Sequence, residues 1–120
     1  VNCAAALANL EAIIEENMLE GVEEKGRLFA SLLNMNPAVR EIRQIGLMIA
    51  VEMDSFEIVY EVVQKCLEKG IIGFWFISCN NSFRLAPPLV ITKEEIGEAC
   101  SVINEVIAQV TKKEPTQTED

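Results

Sequence analysis

Histidine is absent from the 120 residues of this chain. Its absence excludes the Ser-His-Asp and Cys-His arrangements of nucleophilic catalysis and makes most zinc and iron sites poor candidates. Cysteine occurs at Cys3, Cys66, Cys79 and Cys100, with no CxxC pair and no metal-like spacing. Three of these fall on expected apolar helix faces, where a reduced cysteine behaves as a small hydrophobe. That usage implies free thiols and a cytoplasmic protein. No apolar run is long enough to span a bilayer and no signal peptide is visible, so no membrane role is expected. Basic charge is scarce: 10 Lys and Arg stand against 19 Asp and Glu, a net charge of −9. Such a surface repels phosphate backbones and anionic lipid, which makes nucleic acid and membranes poor partners. An initiator methionine is also missing. The chain opens at Val1 with "VNCAAALANLEAII", already in helical rhythm, and the expectation is a piece of something longer.

What is present reads as one compact α+β domain over residues 1–111, followed by a polar, proline-broken stretch, 112–120, expected to be a disordered tail. Leu7, Leu10, Ile14, Met18, Val22, Leu28 and Leu32 recur at helical spacing over residues 2–33. Asn17 and Gly21 weaken the middle, which predicts a kink or two helices meeting near 16–20. Pro37 places a loop at 34–39. "IRQIGLMIAVEM" (42–53) reads as one strand. Asp54, with Glu57 three residues on, predicts the cap of a helix that buries Val59, Val62, Val63, Cys66 and Leu67 and stops at Gly70. "IIGFWFI" (71–77) reads as a second strand, "SCNNS" (78–82) as a turn, and "FRLA" (83–86) as a third strand antiparallel to the second. Thr92 and Glu95 form a capping box for a last helix, 93–111, with Ile96, Cys100, Ile103, Ile107 and Val110 on its buried stripe. The expected fold is thus a small, mainly antiparallel sheet of about three strands with helices on one face.

The strands carry apolar residues on both faces. Ile45, Leu47, Ile49, Val51 and Met53 alternate with Gly46, Met48 and Ala50, and Ile72, Phe74 and Phe76 alternate with Ile71, Gly73, Trp75 and Ile77. That pattern belongs to a sheet covered on both sides. Either the long first helix wraps beneath it or a further domain or subunit covers the second face, and the abrupt start favours the latter.

Arg84 is the residue of interest. It alternates away from Phe83 and Leu85, so it faces opposite to them. Pro87 and Pro88 hold the backbone extended behind it and end the ladder. An arginine at the rigid end of a strand can grip a carboxylate with its two-pronged fork. It can equally be a solvent-facing residue whose stem covers apolar neighbours, and spacing alone favours this second reading. Arg43 can pair with Glu41 or Glu52. Lys25, Lys65, Lys69, Lys93, Lys112 and Lys113 lie on polar helix faces, at helix ends or in the tail, and all six read as solvated. A nucleophilic lysine needs a desolvated pocket to lower its pKa, and none of these has one. No catalytic residue, cofactor-binding residue or metal ligand is assigned to this chain, which alone should be inactive.

"VREIRQIGLMIAVEM", "CLEKGII" and above all "FRLAPPLVITKEEI" resemble, in order and spacing, the C-terminal portion of class III pyridoxal-phosphate aminotransferases, the acetylornithine, ornithine and 4-aminobutyrate group. The likeness runs over roughly residues 1–110. It implies the small C-terminal domain of a fold-type I enzyme whose large domain, upstream, carries pyridoxal phosphate and the lysine bonded to it. The parent would be a homodimeric transaminase moving an amino group between an amino acid (ornithine- or acetylornithine-like, or another ω-amino acid) and a 2-oxo acid. The family arginine before Pro-Pro-Leu is associated with the substrate carboxylate, and Arg84 stands there. The resemblance therefore reverses the preference for a solvated Arg84. Two departures are visible: Gln44 stands where the family commonly has the first glycine of Arg-Gly-x-Gly-Leu, and Ala50 where a glycine is frequent. The rival expectation is a stand-alone α+β module that binds a small molecule or regulates, dimerising through its sheet.

Overall fold

A computed structural model describes residues 1–112. The disordered tail expected from the sequence lies, from residue 113 on, outside the described residues. Four helices and four strands follow in the order α1 (Asn2–Glu15), α2 (Val22–Asn34), β1 (Glu41–Ile45), β2 (Met48–Glu52), α3 (Phe56–Glu68), β3 (Phe74–Trp75), β4 (Ser82–Leu85) and α4 (Lys93–Lys112). The strands form one antiparallel sheet in the order β1-β2-β4-β3. α2 packs on β1 and β2, α3 on β3 and β4, and α4 against both helices, so one face of the sheet is covered. The α+β class is as expected, with four strands instead of about three.

The extra strand comes from the run 42–53, which is a hairpin and not one strand. Gly46 has φ +55 and Leu47 does not leave the ordinary region, so a two-residue turn with a left-handed first position joins Ile45 to Met48. That is the type II′ pattern, which requires a glycine at its first central position and nothing special at its second. The turn also corrects the expected facing. Leu47, Ile49, Val51 and Met53 are buried as anticipated, but Ile45, expected with them, is 80% exposed on the open face. The second expected strand shrinks to Phe74–Trp75.

The helices obey their periodicity with local corrections. The helix over 2–33 is two helices, with the break at 16–21 carrying left-handed Asn17 and Gly21. α1 packs against no other element, and Leu7, Leu10 and Ile14 are exposed. In α2 the deepest apolar residues are Phe29 and Leu33, one position on from the Leu28 and Leu32 of the expected stripe, which are half-buried. α3 is capped by Ser55, whose Oγ accepts from the Ile58 N–H, while Asp54 pairs with Arg40 instead of capping. Leu67 is exposed, but Val59, Val62, Val63 and Cys66 are buried, and the helix ends at left-handed Gly70. The capping box of α4 forms in both directions between Thr92 and Glu95, and its whole expected stripe is buried, joined by Val106. Burial pushes the thiols of Cys66 and Cys100 up to about 11 and about 12, so both are inert core hydrophobes. Cys3 is exposed and Cys79 half-buried, and all four thiols are free.

One contact fixes how α2 lies on the sheet. A Cβ added to Gly26 would stand 1.8 Å from the Gly46 carbonyl oxygen, so helix and hairpin turn meet backbone to backbone. Gly26→Ala forces them apart in a region with no slack, and overpacking of this kind costs about 3 kcal/mol. Urea unfolding of the chain with and without Gly26→Ala measures it; an unchanged midpoint would mean the approach is not needed.

Candidate functional site

The face of the sheet away from the helices is open. Hydrogen-bonded register aligns Arg43, Ala50, Arg84 and Phe74 in one row across all four strands. Alternation then sets their direction. Phe83 and Leu85 go into the core, and Arg84 between them is exposed on the open face, as the sequence indicated. Its guanidinium carbon lies 5.7 Å from the centroid of the Phe74 ring, a cation–π contact that orients the fork without neutralising it.

Arg84 lines an open depression of about 310 Å³ together with Arg43, Met48, Ala50, Phe76 and Ala86. Once the depression is covered, its apolar members would leave a bound anion poorly hydrated and make an ion pair there stronger than in free water. The two arginines of the row differ sharply. Arg43 Nη1 is 2.8 Å from Glu52 and 3.2 Å from Glu41, and its Nη2 donates to the Ser82 hydroxyl at 3.3 Å. Its hydrogen bond to Glu52 raises its pKa, so Arg43 is a saturated structural cation. The pairing expected from the sequence is observed with both carboxylates. Arg27 pairs with Glu23 and Arg40 with Asp54. Among the described residues, Arg84 is the one arginine with no carboxylate partner.

Sequence reasoning missed the residues that hold this face in place. Glu23, in the first turn of α2, accepts from the Gly46 N–H at 2.8 Å and from Gln44 Nε2 at 2.9 Å. These two hydrogen bonds, the Gln44 amide first, hold the Glu23 carboxyl below the usual carboxylate range. Gln44 thus spends its amide on Glu23 and the Gly46 carbonyl. Lys25, expected to be solvated, is half-buried and donates to the Leu89 carbonyl at 3.0 Å. Lys65, Lys69 and Lys93 sit in ion pairs with Glu61, Glu105 and Glu24. Apart from Glu61 and Lys65, which are four residues apart on α3, the partners are far apart in sequence, so no spacing announces them. Gly26 alone was a signal, since a glycine inside a helix often marks a close approach.

The described residues do not make a pyridoxal-phosphate site: each described lysine but the terminal Lys112 is engaged with a carbonyl or a carboxylate. No helix of the described residues is long and apolar enough to cross a membrane, and no cluster of metal-ligating residues occurs among them.

The sequence profile of the family described as aminotransferase class-III matches residues 1–107. The chain belongs to this family. It is 38% identical over 112 residues to the acetylornithine aminotransferase of Caldanaerobacter subterraneus subsp. tengcongensis, covering 90% of this chain and 28% of that protein. It is 36% identical over 124 residues to the (R)-1-hydroxy-2-aminoethylphosphonate ammonia-lyase of Vibrio splendidus, covering 93% of this chain and 26% of that one. The crystal structure of the ornithine aminotransferase of Toxoplasma gondii ME49 superposes with a TM-score of 0.80 at 33% identity, over 92% of this chain and 27% of that one. The chain therefore spans about a quarter of the length of the class III relatives it matches.

The Glu23 contacts generate a pH prediction. Its carboxyl titrates lower in the folded chain than in the unfolded one, so its contribution is present above the unfolded pKa and is lost as pH falls through the folded value. Wild type and Glu23→Gln should differ in urea midpoint at pH 7 and converge as the pH drops below the ordinary carboxylate range. A gap that stayed constant with pH would refute the assignment.

Proposed function

We propose that this chain is the C-terminal small domain of a pyridoxal-phosphate aminotransferase, and that Arg84 holds the carboxylate of its amino-acid and 2-oxo-acid substrates. The observation that carries the role is the unpaired fork of Arg84 on an open apolar face, in a chain whose other three arginines all have carboxylate partners. An internal carboxylate would compete with a substrate's, and among the described residues none does. The row neighbours Ala50 and Phe74 offer no acceptor, and the Phe74 ring steadies the guanidinium from beside it. A carboxylate held by both prongs is fixed in orientation as well as position, which presents the neighbouring carbon in one geometry.

The remaining parts of the site lie outside this chain. Pyridoxal phosphate, which supplies the electron sink for amino-group transfer, is proposed to be held by a large domain upstream, because the residues described here do not fit it. That large domain is also the proposed cover for the open face, where Ile45, Met48 and Phe74 are exposed around Arg84. The parent is proposed to be a cytoplasmic homodimer. Ornithine, acetylornithine or another ω-amino acid is the proposed donor class, supported by the names of the aminotransferases this chain resembles.

Kinetics of the full-length polypeptide test the reading. Arg84→Ala should lower kcat/KM about 100-fold for a carboxylate-bearing donor and acceptor, as expected for losing a charge-assisted pair in a covered site, with little loss of thermal stability. Wild-type kinetics on every carboxylate substrate would refute the role of Arg84. Release of ammonia without any 2-oxo acid acceptor would refute amino transfer and place the chain with its lyase relative.

A further inference from the structure

Three consecutive residues of α2 reach three separate parts of the chain. Glu23 takes the β1–β2 turn, Glu24 pairs with Lys93 at the start of α4 at 2.7 Å, and Lys25 donates to the Leu89 carbonyl. The last of these grips the segment that follows Arg84. That segment needs an outside hold. β3 ends its pairing with β4 at Phe74 and Arg84, so Leu85 has a strand neighbour on one side only, Ile49 of β2. Pro87 and Pro88 have no N–H to donate, so the ladder cannot continue. Within the segment the Ile91 N–H closes a turn onto the Pro88 carbonyl at 3.0 Å. Among the described residues, Lys25 provides the one side-chain hydrogen bond onto residues 86–91 from elsewhere in the chain.

The segment bears directly on the room around Arg84. Ala86 walls the depression shared with Arg43, and Ala86, Pro87 and Pro88 wall a second depression, of about 460 Å³, which Arg84 also lines. We infer that Lys25 is a positioning residue for Arg84: its hydrogen bond to Leu89 sets how the Pro87–Pro88 wall stands against the carboxylate fork. This rests on the carboxylate role proposed above. Lys25 itself lines neither depression. It acts through the wall, so its loss moves substrate binding more than turnover.

The test uses the full-length enzyme with 2-oxoglutarate and butanal as amino acceptors, one with carboxylates and one without. Lys25→Met keeps the apolar stem and removes the donor. It should raise KM for 2-oxoglutarate about tenfold, the scale of a slightly misplaced binding group, leaving kcat and the butanal kinetics near wild type. Lys25→Arg keeps a donor and should restore most of the loss. Arg84→Met is run beside them. If Arg84→Met weakens 2-oxoglutarate and Lys25→Met does not, the inference falls and the role of Arg84 stands. If neither variant changes 2-oxoglutarate kinetics, the role of Arg84 falls and takes the inference with it. Equal losses on both acceptors would mean general damage and would also overturn positioning. Should Lys25→Met fail to accumulate, Lys25→Leu, which also carries no donor, gives the same comparison.

Discussion

Everything on the open face depends on one backbone contact, the approach of α2 to the β1–β2 turn at Gly26 and Gly46. One helical side chain is absent there, and the turn oxygen stands where its Cβ would be. Because helix and turn touch without side chains between them, the first turn of α2 is held at short range over the sheet edge. Glu23 can then reach a backbone N–H, and Lys25 can reach a backbone carbonyl. Larger residues at 26 would lift the helix and put these acceptors and donors out of range together. The hydrogen bonds are individually modest, but they share one geometric precondition.

That precondition explains what could and could not be read in advance. The core stripes of α3 and α4 were legible because a buried helix face needs only periodicity, and the Thr92–Glu95 box needs only local spacing. The direction of Arg84 was legible for the same reason, since alternation is a local rule. The β1–β2 hairpin was not. A type II′ turn asks for a single glycine, and "QIGLMI" offers Gly46 between apolar residues that continue the strand pattern on both sides. Phe29 and Leu33 were displaced by one position because the backbone contact at Gly26 rotates α2 toward them. The solitude of Arg84 was illegible in principle. Local spacing forecasts pairs such as Glu23–Arg27 and Glu61–Lys65, but it does not forecast that a given arginine stays without a carboxylate.

That solitude gains force from composition. Acids outnumber bases nearly two to one, so a cation on this chain finds a carboxylate easily. Arg43, on the same row and the same face, finds two. Among the described residues Arg84 finds none, because its flanking strands present Ala50 and Phe74, and its own strand presents Ser82, which is fully buried and accepts from Arg43. Neighbour identity, and not a shortage of acids, keeps the fork open.

An open fork on an uncovered face is nonetheless a weak binder. A carboxylate 4 Å from a guanidinium gains about 1 kcal/mol in bulk water, against about 4 kcal/mol at the effective dielectric of a partly buried site. The exposed Ile45, Met48 and Phe74 around Arg84 are costly to leave in water and cheap to cover. Covering them with the proposed large domain would do two things at once: bury the apolar rim, and raise the grip of Arg84 about fourfold in energy. Substrate affinity and domain packing would then be coupled through the same few side chains. The wall held by Lys25 would decide how much of that dry space remains for the carboxylate.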